Sequence, residues 1–170
     1  MSIRPLLRSA MSAKSAKSTL AALVLLAGTT AAVAAPHLPP VTDIGAQSAA
    51  AAKQGEPLVV LVTLPGCVYC ETVRRNYLGP QVAAGEISAR EIDMTADTPI
   101  RDVDGNMTTA KQWASARNIS VAPTVLFLDP NGRNLATPLR GMQPDFYGAY
   151  LENAIDEARA KMAARASATH

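Results

Sequence analysis

One short stretch limits the possible folds more than any other. Leu58 to Thr63 (LVVLVT) is an unbroken aliphatic run, and Leu64-Pro65-Gly66-Cys67-Val68-Tyr69-Cys70 follows it directly. A run of leucine and β-branched residues without alternation describes a strand covered on both faces. Such a strand needs a helical layer above and another below it. The residues from Cys67 to Tyr77 suit a helix, so the buried strand delivers the only two cysteines of the chain to a helix start.

The surrounding elements complete this layout. Val41 to Gln54 is alanine-rich and favours helix, with Asp43 as a candidate N-cap and Gly55 as its end. Pro36 to Pro40 reads as an extended linker before it. After the cysteines, Gly79-Pro80 is expected to break the helix, with a short turn of helix at Gln81 to Ala84. Ile87 to Met94 alternates as a second strand, and Thr95 to Met107 is a polar loop around the turn signal Asp104-Gly105. Thr108 to Arg117 is a helix carrying the only tryptophan, Trp113. Thr124 to Leu128 (TVLFL) is a third apolar strand. Asp129 to Gly132 then turns the chain, and Leu135 to Leu139 returns antiparallel. Pro144 opens a last helix, in which Tyr147, Tyr150, Leu151, Ala154, Ile155 and Ala158 share one face. From Lys161 the tail is expected to fray. The order predicts an α/β domain with a mixed central sheet and helices on both faces.

Three chemistries suit two cysteines at this spacing. A structural zinc site wants four ligands, but the chain offers only His37 in the linker and His170 at its last position. A c-type haem would need histidine after the second cysteine, where Glu71 stands. A structural staple across so small a loop removes little chain entropy. A redox pair accounts for the placement. The first cysteine of a strand-to-helix junction faces free N–H groups and the positive end of the helix dipole. Both stabilise a thiolate, and a cysteine pKa can fall there from about 8.5 to between roughly 3.5 and 7. Cys67 is then the exposed nucleophile, and Cys70, one turn further in, is the buried resolving thiol.

The compartment follows from the first residues. Arg4, Arg8, Lys14 and Lys17 precede the apolar run Leu20 to Ala27 and the small residues up to Ala35-Pro36. This is the order of a secretory signal peptide, with cleavage expected between Ala34 and Ala35; an uncleaved anchor is the alternative. The leader holds four of the 16 basic residues and none of the 14 acids, so the remaining chain has a net charge of −2. A nucleic-acid partner, which needs a persistent cationic face, is not supported. The expected organisation is a signal peptide at 1–34, a linker and helix at 35–55, a domain at 56–160 and a tail at 161–170.

LVVLVTLPGCVYCETVRR, followed some fifty residues later by VAPTVLFLDPNG, a hairpin and a last helix, resembles the thioredoxin superfamily over Leu58 to Glu157. Asp102-Val103-Asp104-Gly105, the Trp113 helix, Ala122-Pro123-Thr124 and Leu139-Arg140-Gly141-Met142 are most similar to secreted bacterial thioredoxin-like proteins, including those associated with periplasmic sulfur oxidation. The resemblance implies a cis Pro123 beside the cysteines. Ala122 would offer its backbone to the substrate chain, and Gly66, Val68 and Tyr69 would line the contact. It also implies a periplasmic thiol–disulfide oxidoreductase with no cofactor and no metal. Its partners would be protein thiols and disulfides, with a membrane thiol-relay protein as electron donor. A monomer off the membrane is expected, since residues 35–55 are too few for an added dimerisation domain.

Two positions depart from cytosolic thioredoxins. Gly66 stands in place of a tryptophan, and Leu61 in place of a buried acid. A disulfide oxidase or isomerase, and a metal-binding module holding a soft ion such as Cu(I), are the alternatives. Arg74 and Arg75 read as a solvated helix face, Glu71 as a surface acid, and Trp113 and Phe127 as core.

Overall fold

The computed structural model describes residues 37–168; the leader, its cleavage site and His170 lie outside them. Strand β1 (Leu58–Thr63) is buried at all six positions, as its lack of alternation requires. It pairs in parallel with β2 (Ser88–Asp93) and antiparallel with β5 (Thr124–Leu128), and β5 pairs with β6 (Leu139–Arg140). The sheet order is therefore β2-β1-β5-β6. Before the sheet comes α1 (Ile44–Ala52), capped by Asp43, whose carboxylate accepts the Ala46 N–H.

Side chains of the central strands divide between two apolar layers. Val59, Leu61, Val125 and Phe127 point to the face covered by the cysteine helix and by α5 (Tyr147–Ser167). Leu58, Val60, Val62, Leu126 and Leu128 point to the other, where Ile44 of α1 and Trp113 of α4 (Ala110–Ala116) pack. Thr109 and Gln112 form a reciprocal capping box at the start of α4, satisfying donors the first turn leaves free.

Several expectations need correction. The described part of the segment read as a linker, residues 37–40, packs on the domain through the buried Leu38, and the helix expected from Val41 starts at Ile44. The Val41 N–H donates to Glu91 O at 2.8 Å, and the Glu91 N–H donates to Pro39 O at 3.0 Å. Gly79-Pro80 does not break the helix. The α2 helix (Val68–Val73) passes into a single π turn over Arg74–Leu78 and then into α3 (Gly79–Ala83). Pro80 has no N–H to donate, and the π turn shifts the bonding beforehand, with the Gly79 N–H reaching Arg74 O. The chain thus stays helical through the proline.

The polar loop at 95–107 contains a hairpin, β3 (Pro99–Arg101) with β4 (Met107–Thr109), turning at Asp104-Gly105. The return after β5 is a bridge from Leu128 to Asn134 and then the two residues of β6, not a strand over Leu135 to Leu139. Pro138 lacks the donor that such a strand needs. The last helix begins at Tyr147, three residues beyond Pro144, and keeps helical geometry past Lys161 to Ser167. Its buried face holds the expected residues except Tyr150, which is exposed.

Candidate active site

Both cysteines sit where β1 ends. Gly66 adopts φ +72°, a backbone region that side chains disfavour, and the chain then enters α2 with Cys67 as the N-cap. The two sulfurs are joined in a disulfide, with Cα atoms 5.2 Å apart. Cys67 Sγ accepts the Cys70 N–H at 3.1 Å, so one orphan donor of the first turn points at the sulfur. Cys67 is half-buried, whereas Cys70 is 1% exposed. Between them Val68 and Tyr69 are 75% and 57% exposed.

Sheet register brings the second predicted group to the same end. Val62 pairs with Thr124, so Pro123, one residue earlier, lies beside Thr63 at the C-terminal end of β1. The Ala122–Pro123 bond is cis. Pro123 O accepts the Gly141 N–H at 2.7 Å, which ties the β6 end to this corner. Ala122 enters no backbone hydrogen bond among the described residues, and Val121 before it is 44% exposed. Tyr69 and Val121, outside the groove described next, thus leave apolar side chains exposed near the disulfide and the cis proline.

The surroundings of Cys67 are charged. A groove of about 680 Å³ opens beside Cys67, between α2 and the end of β2. Its floor is an ion network that corrects the solvated-face reading. Arg74 is buried; its Nε and Nη2 donate to Glu91 at 2.6 and 2.8 Å, and its Nη1 donates to Glu71. Arg75 pairs with the other Glu71 oxygen and stays exposed. The hydrogen bonds that Arg74 donates to Glu91 hold its guanidinium above its ordinary pKa range, against the opposing effect of burial. Glu71 is therefore a bridge between two guanidinium groups and not a free surface acid.

Glu91 was missed among the site residues. It lies directly across from Leu61 in the β1–β2 register, so an acid stands one strand over from the position noted above as a departure from cytosolic thioredoxins. Its signal was its place near the carboxyl end of a strand parallel to the cysteine strand, where ligand crevices of such sheets form. Among the described residues, no three His, Cys, Asp or Glu side chains group as metal ligands.

No match is found among curated protein sequences. Solved structures with a similar chain path include a thioredoxin-fold protein from Helicobacter pylori, 14% identical, covering 78% of this chain and 87% of that one with a TM-score of 0.48. Thioredoxin O2 from Arabidopsis thaliana in its oxidised state is 13% identical over 72% of this chain and 94% of that one, TM-score 0.48. A poplar thioredoxin h is 16% identical over 68% and 96%, TM-score 0.48. The family model of the thioredoxin-like domain matches residues 44–155, well over half of the sequence and including the cysteine helix, the sheet and the cis proline. The chain belongs to the thioredoxin-like family.

Proposed function

We propose that this protein is a periplasmic thiol–disulfide oxidoreductase that reduces disulfides of other proteins. The observation that carries the reading is the unequal cysteine pair. Cys67 is half-buried at a helix start and Cys70 is 1% exposed behind it, at the same sheet end as the unpaired backbone of Ala122. The Cys67 thiolate attacks one sulfur of the substrate disulfide, that S–S bond breaks, and the leaving sulfur departs as a thiolate and takes a proton. Cys70 then loses its proton and attacks Cys67 Sγ. The mixed disulfide breaks, the second substrate thiol leaves, and the Cys67–Cys70 disulfide forms.

Two electrons pass to the substrate in each cycle, and a dithiol donor, read as a membrane thiol-relay protein, must return them. Ala122 pairs with the substrate backbone, while Gly66, Val68 and Tyr69 bound the contact. Equilibration with a glutathione buffer tests the direction. A potential near about −270 mV supports a reductase, whereas about −120 to −180 mV makes the protein a disulfide donor or isomerase.

A further inference from the structure

The groove beside Cys67 leaves one carboxylate oxygen without a partner among the described residues. Three carboxylates (Glu71, Glu91 and Asp93) and two guanidinium groups (Arg74 and Arg75) line it. Both oxygens of Glu91 are taken by Arg74, and those of Glu71 by Arg74 and Arg75. Asp93 differs. Its Oδ1 accepts from the Thr95 N–H at 2.8 Å and from the Thr95 hydroxyl at 2.7 Å, and its Oδ2 has no partner among the described residues.

The lining therefore carries one net negative charge; its uncommitted acceptor is a carboxylate oxygen, while Arg75, exposed and bound to Glu71 through Nε alone, is the cation that competes with it. Access from the disulfide is open, because Gly66 has no side chain and a Cβ there would meet nothing within 4 Å. The locked Arg74–Glu91 pair keeps the floor fixed. A guanidinium held by two carboxylates has little left to offer an anion, and a cation entering the groove finds a free acceptor.

We propose that this groove is a specificity subsite for the ammonium or guanidinium of a lysine or arginine flanking the disulfide of a polypeptide substrate, with Asp93 as the acceptor. The inference rests on the disulfide-exchange reading above and adds to it a substrate class. Exchange chemistry occurs at the sulfur, while the groove selects which cysteine-bearing segment is presented.

The test uses the reduced full-length protein and three disulfide-linked peptides that differ only in carrying Lys, Gln or Glu beside the cysteine. A lysine also lowers the pKa of a neighbouring thiol, so each rate is divided by that of the same peptide with dithiothreitol. The corrected Lys rate should exceed the Gln rate by about threefold to fivefold, the scale of a partly exposed charge pair, and the Glu rate should fall below both. Added salt should compress the series. Asp93→Asn, which keeps an oxygen for Thr95, should level it, and Arg75→Gln should steepen it. Equal corrected rates, a Glu peptide that reacts fastest, or a lysine preference that survives Asp93→Asn would overturn the inference. Exchange without preference sinks only the subsite, whereas no exchange even with the Gln peptide sinks the oxidoreductase reading itself.

Discussion

The two faces of the sheet are built differently. On the face shared by α1 and α4, the buried side chains are apolar apart from Ser48, whose hydroxyl donates to Ile44 O within its own helix, and Thr124, whose hydroxyl donates to Val121 O. The face shared by the cysteine helix and α5 carries the same kind of aliphatic layer. It also holds Arg74 with Glu91, the Tyr77–Tyr147 ring pair and, at its edge, the disulfide. Burying polar groups costs stability unless each finds partners. One face is therefore spent on cohesion alone, and the other accepts polar groups close to the cysteines. Stability and exchange should separate accordingly when residues are replaced.

The largest effect is expected at the disulfide. Cys67→Ser should reduce disulfide exchange to background in a turnover assay while leaving the unfolding free energy within about 1 kcal/mol of the reduced wild type, since neither then carries the cross-link and the altered side chain is only half-buried. Next comes the plain face. Trp113 is 5% exposed with Arg117 stacked 4.6 Å from its ring centroid. Trp113→Ala should cost about 3–5 kcal/mol in denaturant unfolding, and the surviving folded fraction should exchange disulfides at the wild-type rate. A matching loss of exchange rate would show that the faces are not independent.

The polar face gives smaller and mixed effects. Glu91→Gln leaves Arg74 buried with only Glu71 for charge. It should lower stability by about 1–3 kcal/mol, less than a fully buried pair because Glu91 is partly exposed, and it should alter the exchange rate as the floor under α2 loosens. The smallest change belongs to Tyr147, whose buried hydroxyl has no partner among the described residues. Burial, followed by the proximity of Tyr77, raises its pKa well above the ordinary tyrosine value. Above pH ~10 the unfolded chain ionises there while the folded one does not. The unfolded state then binds fewer protons, and stability falls as pH rises. Tyr147→Phe should be within about 0.5 kcal/mol of wild type at neutral pH and should unfold with a shallower loss above pH 10, followed by thermal denaturation across pH 7 to 11.

How much of this was legible in the sequence depended on the length scale of each signal. β1 and β5 could be bounded to the residue, because five or six consecutive residues drawn from leucine, β-branched side chains and phenylalanine admit few other readings. The start of α2 was marked by Cys67 itself. The β3–β4 hairpin was missed because its strands have three residues each, too few to display a period, and only Ile100 among them is buried. The helix through Pro80 was missed because a local rule about proline says nothing of a π turn that shifts the bonding upstream. Arg74 looked solvated because its partner Glu91 is 17 residues away on another strand, and ion pairs across elements leave no local trace.

The segment bridged to the outer edge of β2 bears on association between copies of this chain. A sheet edge with free N–H and C=O groups templates another strand. Here the β2 edge is occupied near Glu91 by a segment containing Pro39 and Pro40, and proline offers no donor to an incoming chain. At the opposite edge β6 has two residues, too short a ladder to recruit a neighbour. Both margins of the sheet are thus blunted against self-templating, while the unpaired backbone at Ala122 stands apart from them. On the proposed function, a substrate strand aligned at Ala122 would not also template fibrous growth at the sheet margins.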